Sequence, residues 1–212
     1  MVQIDVSSDN SIKNAVDNIA STHGQLDVLI NNAGANSGKT IESGELNLRE
    51  SWDKTWDTNV SGAYVTTSMF MPLLLKSASP RLLSTTSGTS PLVGTERMDA
   101  QYAFINASPA AGWPKPLDLS LTDAYRSTKT GLNMMMRQWH RFLKNDDVEV
   151  FAVSPGFLAT SLGGIGEETL KQVGPDTYIT LCLTNKDIAR CSRPFHWREL
   201  RQRRCSREAR CG

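Results

Sequence analysis

Short apolar runs that alternate with helix-forming stretches constrain the fold of this chain more than any other feature. The runs that we predict to be strands are residues 1–6, 26–30, 81–86 and 148–153. The predicted helices lie between Ser7 and Gly24, over residues 48–77 and over residues 121–144. This alternation is typical of an α/β fold with a doubly wound parallel sheet covered by helices. A length of 212 residues suffices for one such domain.

The predicted helices carry signals for where they begin, break and end. Ser7, Ser8 and Asp9 are residue types that cap helix N-termini, and Gly24 ends the first apolar run. Asn and Gly are poor helix formers, so we expect a break in the second helix within residues 59–62. The apolar residues available for the buried face of the last helix are Ala124, Leu132, Met135, Trp139 and Phe142.

The charge is unevenly distributed along the chain. Residues from Lys186 to Gly212 include nine of the 23 basic residues and three of the 22 acidic residues. The chain before Lys186 therefore holds 14 basic and 19 acidic residues. A mildly acidic main body argues against nucleic acid as a partner. The sequence shows neither a membrane span nor the basic and apolar regions of a signal peptide, so we expect a cytoplasmic protein with no membrane partner.

Residues 182–212 differ from the rest of the chain and form a basic, irregular tail after a predicted domain of residues 1–181. Together with His196, the tail holds all four cysteines, Cys182, Cys191, Cys205 and Cys211. Their spacing lacks a Cys-x-x-Cys pair, so we predict no metal site, with zinc as the weaker alternative. We interpret the tail as an alternative or mistranslated end of the protein. A basic arm that binds nucleic acid or a membrane surface is the weaker interpretation. We expect no strand in the tail.

Small and polar residues follow three of the predicted strands. Residues 31–34 read Asn-Asn-Ala-Gly, Ser87 follows the third strand, and Pro155 and Gly156 follow the last. Ligands of parallel α/β sheets bind at the carboxyl ends of the strands. These three strand ends therefore predict one shared crevice.

Tyr125 and Lys129 lie four positions apart on the last predicted helix, which places both side chains on one face. An ammonium beside a phenol favours the phenolate, and such a tyrosine can act as a general acid toward a carbonyl oxygen. Ser87 could donate a hydrogen bond to the same oxygen. The alternatives are a packed tyrosine with a solvated lysine, and an ordinary serine at a strand end. Asn59 either points toward the site or only breaks its helix. Gly34 either permits close approach of a ligand or only forms a turn.

Taken together, these motifs resemble the short-chain dehydrogenase/reductase family, with its Rossmann-like sheet. The matching segments appear in the family's order: residues 31–34, Asn-Val-Ser-Gly at 59–62, Ser87 with Gly88, Tyr-Arg-Ser-Thr-Lys at 125–129, and residues 155–160. The resemblance implies an NAD(P)-dependent oxidoreductase that interconverts a carbonyl and an alcohol on a small organic molecule. It implies that Tyr125 donates the proton, Ser87 orients the substrate carbonyl, and Lys129 lowers the tyrosine pKa and holds the nicotinamide ribose. Asn59 would hold a water that links Lys129 to solvent.

The resemblance also assigns further residues to the cofactor. Asp5 matches an acidic residue near the adenine, Asn32 lies by the adenosine ribose, and Gly34 allows close approach of the backbone. Leu158 and Thr160 would flank the nicotinamide amide. NADP is favoured over NAD, because the long segment described next resembles that of carbonyl reductases.

One spacing departs from the family pattern, since Ser87 and Tyr125 lie 38 positions apart and simple members have far fewer. The excess falls in residues 88–120, which we predict to be irregular. It resembles the insertion of monomeric carbonyl reductases and some fungal relatives, where it would cover a helix face used for oligomerisation. A monomer is therefore expected.

A second departure is the absence of the Thr-Gly-x-x-x-Gly-x-Gly turn with which the family begins. We therefore expect a fold truncated at its N-terminus, with a gap in the sheet between strands 1–6 and 26–30. We also expect poor stability and weak NAD(P) binding by this chain. A catalytically inactive truncated or alternatively spliced fragment is the alternative to an active enzyme.

Overall fold

A computed structural model describes residues 1–99, 102–115, 122–156, 162 and 182–183. Four strands form one sheet in the order β1-β2-β3-β4. They are β1 (Val28–Asn31), β2 (Arg81–Thr85), β3 (Glu149–Val153) and β4 (Cys182–Leu183). β1, β2 and β3 are parallel, with Ile30 opposite Leu83 and Leu83 opposite Phe151. The predicted strands 26–30, 81–86 and 148–153 are thus confirmed to within two residues at each end.

Two expectations about the sheet are wrong. Residues 1–5 form no strand, because they pair with none of the described strands before the chain turns at Val6 and Ser7. The described sheet consequently has no internal gap, and β1 lies at its edge. The tail does contribute a strand, since β4 pairs antiparallel with β3 through Cys182 opposite Ala152.

The α-helices before and between the strands are α1 (Asp9–His23), α2 (Lys39–Glu42), α3 (Leu48–Trp56), α4 (Gly62–Leu74), α5 (Ala103–Asn106) and α6 (Asp123–Leu143). The first follows the predicted signals: the Ser8 hydroxyl accepts from the Ser11 amide, and Gly24 closes the helix with φ 76°. The predicted break in residues 59–62 is a π-helical turn, Asp57–Ser61, that joins α3 to α4 without interrupting the helix. A single turn of wider backbone spacing accommodates the poor helix formers there.

The core lies between these helices and the sheet. It joins Ile12 of α1, Phe70 and Leu74 of α4, Leu82 of β2, Val150 of β3 and Leu132 of α6. Ala124, Met135 and Trp139 are buried as predicted. The prediction that Phe142 is buried is wrong, since this residue remains 52% exposed. It packs edge-on against Trp139 at the outer side of α6, with ring centroids 6.1 Å apart.

The segment predicted to be irregular over residues 88–120 contains two short helical turns where it is described. These are a 3-10 turn, Leu92–Glu96, and α5. Both lie near the start of α6, and side-chain hydrogen bonds join the segment to that helix.

Candidate active site

The carboxyl ends of β1 and β2 bring together most of the residues that the sequence singled out. The loop after β1 carries Asn32 and Gly34, and the loop after β2 carries Ser87. Tyr125 and Lys129 reach the same place from the first two turns of α6. Two of the three strand ends that were predicted to share a crevice, those of β1 and β2, therefore lie side by side in the parallel sheet.

Lys129 is buried under the loop that follows β2. Its side chain is 2% exposed, and its ammonium donates to the Thr85 carbonyl at 2.8 Å. Burial penalises the charged form and lowers the pKa of Lys129 from 10.5 to about 8. The ammonium lies 5.6 Å from the centroid of the Tyr125 ring, as the four-residue spacing predicts.

Tyr125 has a pKa above its ordinary value, opposite in direction to the expected effect of Lys129. Burial is the larger cause, and a side-chain hydrogen bond with Ser87 acts in the opposite direction. The Ser87 hydroxyl is itself held by Thr89, whose amide lies 3.2 Å and whose hydroxyl lies 2.9 Å from Ser87 Oγ. The site therefore holds a neutral phenol beside an oriented hydroxyl, an arrangement suited to donating a proton.

Asn59 uses the π-helical turn to face both the β1 loop and α6. Its Nδ2 donates to the Ala35 carbonyl and to Thr128 Oγ1, each at 2.9 Å, and its Oδ1 accepts from the Ala35 amide at 2.8 Å. A Cβ on Gly34 would lie 3.4 Å from both Asn59 Oδ1 and the Lys129 ammonium. Gly34 therefore lies close beside Lys129 and Asn59, whereas the water held by Asn59 stays a prediction.

Two residues assigned to the adenosine end, Asn32 and Asp5, have their own hydrogen-bond partners. Asn32 accepts from the Thr85 hydroxyl at 3.1 Å. The Asp5 carboxylate accepts from the Ser7 amide and hydroxyl, which lowers its pKa. Its neighbours Ile4 and Val6 line a cavity of about 270 Å³ that Asn32 also lines. Leu158 and Thr160 lie outside the described residues.

Comparison with known proteins repeatedly finds one family. The model of the short chain dehydrogenase family matches residues 1–103. Short-chain dehydrogenase/reductase eupG of a Phoma species is 48% identical over 162 residues, which cover 76% of this chain and 56% of that protein. Short-chain dehydrogenase/reductase tropE of Talaromyces stipitatus is 44% identical over 162 residues, 76% of this chain and 58% of that protein.

This chain belongs to the short-chain dehydrogenase/reductase family. It spans just over half the length of the curated relatives that it matches.

Solved structures share the fold of this short-chain dehydrogenase/reductase. An NADPH-bound carbonyl reductase from chicken fatty liver has a TM-score of 0.60 at 22% identity, with 79% of this chain and 62% of that chain covered. An alcohol dehydrogenase from Thermococcus sibiricus complexed with 5-hydroxy-NADP has a TM-score of 0.54 at 24% identity, with 77% and 56% covered. These similarities confirm the predicted Rossmann-like α/β fold.

A polar network behind the site was not found from the sequence. The Thr86 hydroxyl donates to Asn133 Oδ1 at 2.6 Å, and Asn133 Nδ2 donates to Ser90 Oγ at 2.8 Å. Thr130 adds a bond from its hydroxyl to the Ser90 carbonyl at 2.7 Å. Asn133 lies four residues after Lys129, so an amide on the same helix face was the signal that could have indicated it.

The described part of this short-chain dehydrogenase/reductase contains no group of three His, Cys, Asp or Glu side chains arranged to hold a metal ion. The tail residues considered for zinc lie outside it, apart from the backbone of Cys182. Among the helices that the structure describes, none is both long and apolar enough to cross a membrane.

Proposed function

We propose that this chain carries the catalytic residues of an NADP-dependent oxidoreductase that interconverts a carbonyl and an alcohol on a small organic molecule. The observation that carries the proposal is the meeting of Ser87, Tyr125 and Lys129 at the ends of parallel strands. Both solved structures described above are dinucleotide-bound oxidoreductases, which supports NADP, with NAD as the alternative.

The residues divide the chemistry of carbonyl reduction among them. Ser87 donates a hydrogen bond to the substrate oxygen and fixes its position next to Tyr125. Negative charge develops on that oxygen as the carbon receives a hydride, and the Tyr125 hydroxyl transfers its proton there. The nearby Lys129 ammonium stabilises the resulting phenolate. Alcohol oxidation follows the same proton path in reverse.

The residues around Lys129 fit the ribose and nicotinamide of the cofactor. Lys129 has three N–H donors, and within the described residues Thr85 provides the acceptor for one of them. Gly34 leaves open the space that a Cβ would occupy beside that ammonium. Lys129, Tyr125 and Gly34 would hold the nicotinamide ribose, Asn32 and Asp5 the adenosine end, and Leu158 and Thr160 the amide. The nicotinamide supplies the hydride when it is bound.

A catalytically inactive fragment remains the second candidate, and it is not favoured over the enzyme. The enzyme is preferred because Ser87, Tyr125 and Lys129, which would handle the proton, are all present in the sequence. The small-molecule substrate, the monomeric state and the cytoplasmic location likewise stay predictions.

Substitution of Tyr125 tests the proposal. Tyr125→Phe removes the transferable proton and little volume, so we expect turnover of small aldehydes and ketones to fall by about 100-fold or more. The melting temperature should change little. Oxidation of NADPH, followed by its absorbance, measures the loss, and Lys129→Ala should additionally weaken NADPH binding.

Tyr64→Phe is the matched control. Tyr64 stacks on Trp139 on the outer side of α4, with ring centroids 5.2 Å apart, and phenylalanine keeps that contact. The turnover of Tyr64→Phe should equal that of the unsubstituted chain. If Tyr125→Phe kept most of the turnover, Tyr125 would not be the proton donor, and if no chain oxidised NADPH, the inactive fragment would be the better description.

A further inference from the structure

Arg126 lies next to Tyr125 on α6 and makes three hydrogen bonds to residues of the long segment between Ser87 and α6. Its Nε donates to the Thr89 carbonyl at 3.3 Å and its Nη1 to the Ile105 carbonyl at 3.0 Å. Its Nη2 donates to Asn106 Oδ1 at 2.9 Å. One guanidinium thus joins the beginning and the end of a stretch of chain to the helix that carries Tyr125.

Asn106 extends these bonds to the middle of the same stretch. Its Nδ2 donates to the Gly94 carbonyl at 2.9 Å and to the Arg97 carbonyl at 2.7 Å. We call residues 88–99 and 102–107 the clamped segment. We call the side chains of Arg126 and Asn106 the clamp. The planar, rigid guanidinium suits three acceptors in fixed directions better than a lysine ammonium does.

The clamped segment borders the proposed catalytic hydroxyl. Thr89, whose carbonyl Arg126 holds, directs both its amide and its hydroxyl at Ser87 Oγ. The hydroxyl of the buried Tyr102 lies 3.5 Å from the Gly88 carbonyl, directly after Ser87. The Arg97 guanidinium stacks over the Tyr102 ring at 3.9 Å. Movement of this segment would therefore displace the wall of the site next to Ser87.

We propose that Arg126, fixed by Asn106, is a positioning residue that holds the clamped segment against α6 and thereby sets which carbonyl substrates fit beside Ser87 and Tyr125. The specificity part rests on the proposed oxidoreductase function. The structural part does not, because it concerns only contacts of this chain with itself.

Limited digestion with trypsin tests the structural part on the full chain without any assay of activity. Arg97 is a trypsin site in the middle of the clamped segment, and the clamp restrains its carbonyl. In Arg126→Ala and in Asn106→Ala we expect cleavage after Arg97 to accelerate about tenfold, because the bonds that restrain it are lost. Arg141→Ala is the control, since Arg141 lies on the last turn of α6 and bonds to Gln138. Cleavage after Arg97 at the unsubstituted rate in both clamp variants would overturn the proposal.

The conservative variant separates a rigid fork from a simple positive charge. Arg126→Lys keeps the charge but cannot reach three acceptors at once, so its cleavage rate should stay close to that of Arg126→Ala. Full restoration of the slow rate by lysine would contradict the clamp.

Kinetics test the specificity part. In Arg126→Ala we expect KM for a bulky ketone to rise about tenfold relative to KM for a small aldehyde, while KM for NADPH changes less than about twofold. A merely structural role would lower the melting temperature and change all KM values together, and that result would overturn the assignment. Absence of turnover in the unsubstituted chain would contradict both the proposed function and the effect of the clamp on specificity. The rate of cleavage after Arg97 tests the structural role of the clamp independently of activity.

Discussion

The two sides of the candidate site are built differently. On the β2 and α6 side, side chains distant in sequence bind one another, as in the bonds from Thr86 to Asn133 and from Arg126 to Asn106. On the β1 side, Ile30 is 56% exposed at the edge of the sheet, and Asp5 is bound by Ser7, two residues away. The side chains on the proton-handling side are thus held by partners distant in sequence, whereas Asp5, assigned to the adenosine end, is held by local contacts.

The largest effect on stability that this comparison predicts concerns Lys129. Its pKa is lowered from 10.5 to about 8 on folding, so between these pH values the unfolded chain binds more protons than the folded chain. The free energy of unfolding should therefore increase as pH rises from 8 toward 10.5, by up to about 3 kcal/mol. Urea unfolding at several pH values measures this increase.

Lys129→Met provides the reference for this measurement, because methionine has similar length and no charge. The difference in unfolding free energy between the unsubstituted chain and Lys129→Met should grow across the window and stay constant below pH 7. A difference that stays flat from pH 7 to 10 would show that Lys129 is not desolvated.

The next effect concerns the contact between the N-terminal residues and α4. A Cβ at Gly62 would collide with the Val6 carbonyl, so Gly62→Ala should destabilise the chain by about 1–3 kcal/mol. In a chain that lacks residues 2–6 the collision with Val6 is gone, although the Asp57 carbonyl still lies 3.2 Å from the Cβ. The cost of the same substitution should then fall below about 1 kcal/mol, because alanine is the better helix former. An equal cost in both chains would mean that residues 1–6 do not pack on α4.

These residues also show where sequence reasoning succeeded and where it could not. Apolar spacing and caps located α1, and the spacing of Tyr125 and Lys129 placed both on one face, because such signals act within a few residues. Residues 1–6 alternate weakly like a strand, but strand pairing depends on a partner distant in sequence, and residues 1–5 pair with none of the described strands.

The residues of the site were harder to predict where their partners are distant. The π-helical turn at Asn59 was indicated by its poor helix formers, whereas the upward pKa shift of Tyr125 depends on burial that no local pattern encodes. Arg126 and Asn106 could not be paired from the sequence, because their contact closes a loop with no periodic signal. Local chemistry was therefore predictable, and tertiary hydrogen bonds were not.

The smallest effect concerns the exposed edge of the sheet. Ile30→Thr keeps a β-branched residue and removes exposed apolar surface, so stability should change by less than about 0.5 kcal/mol. Aggregation during heating, measured by light scattering, should decrease because an apolar open edge promotes strand pairing between chains. Phe142→Thr removes an exposed apolar side chain far from that edge and should have a smaller effect on aggregation. Equal effects of the two substitutions would assign aggregation to general surface hydrophobicity.

In the proposed reaction a hydride passes between a nicotinamide cofactor and a carbonyl carbon, and Tyr125 supplies the proton. Isotope transfer tests it most directly: the chain is incubated with NADPH deuterated at C4 in the position that is transferred, or with both C4 positions labelled, and with a small ketone. We expect an alcohol that carries deuterium on the former carbonyl carbon, and almost none of this product with Tyr125→Phe. An alcohol without deuterium at that carbon, or equal labelled product from both chains, would contradict it.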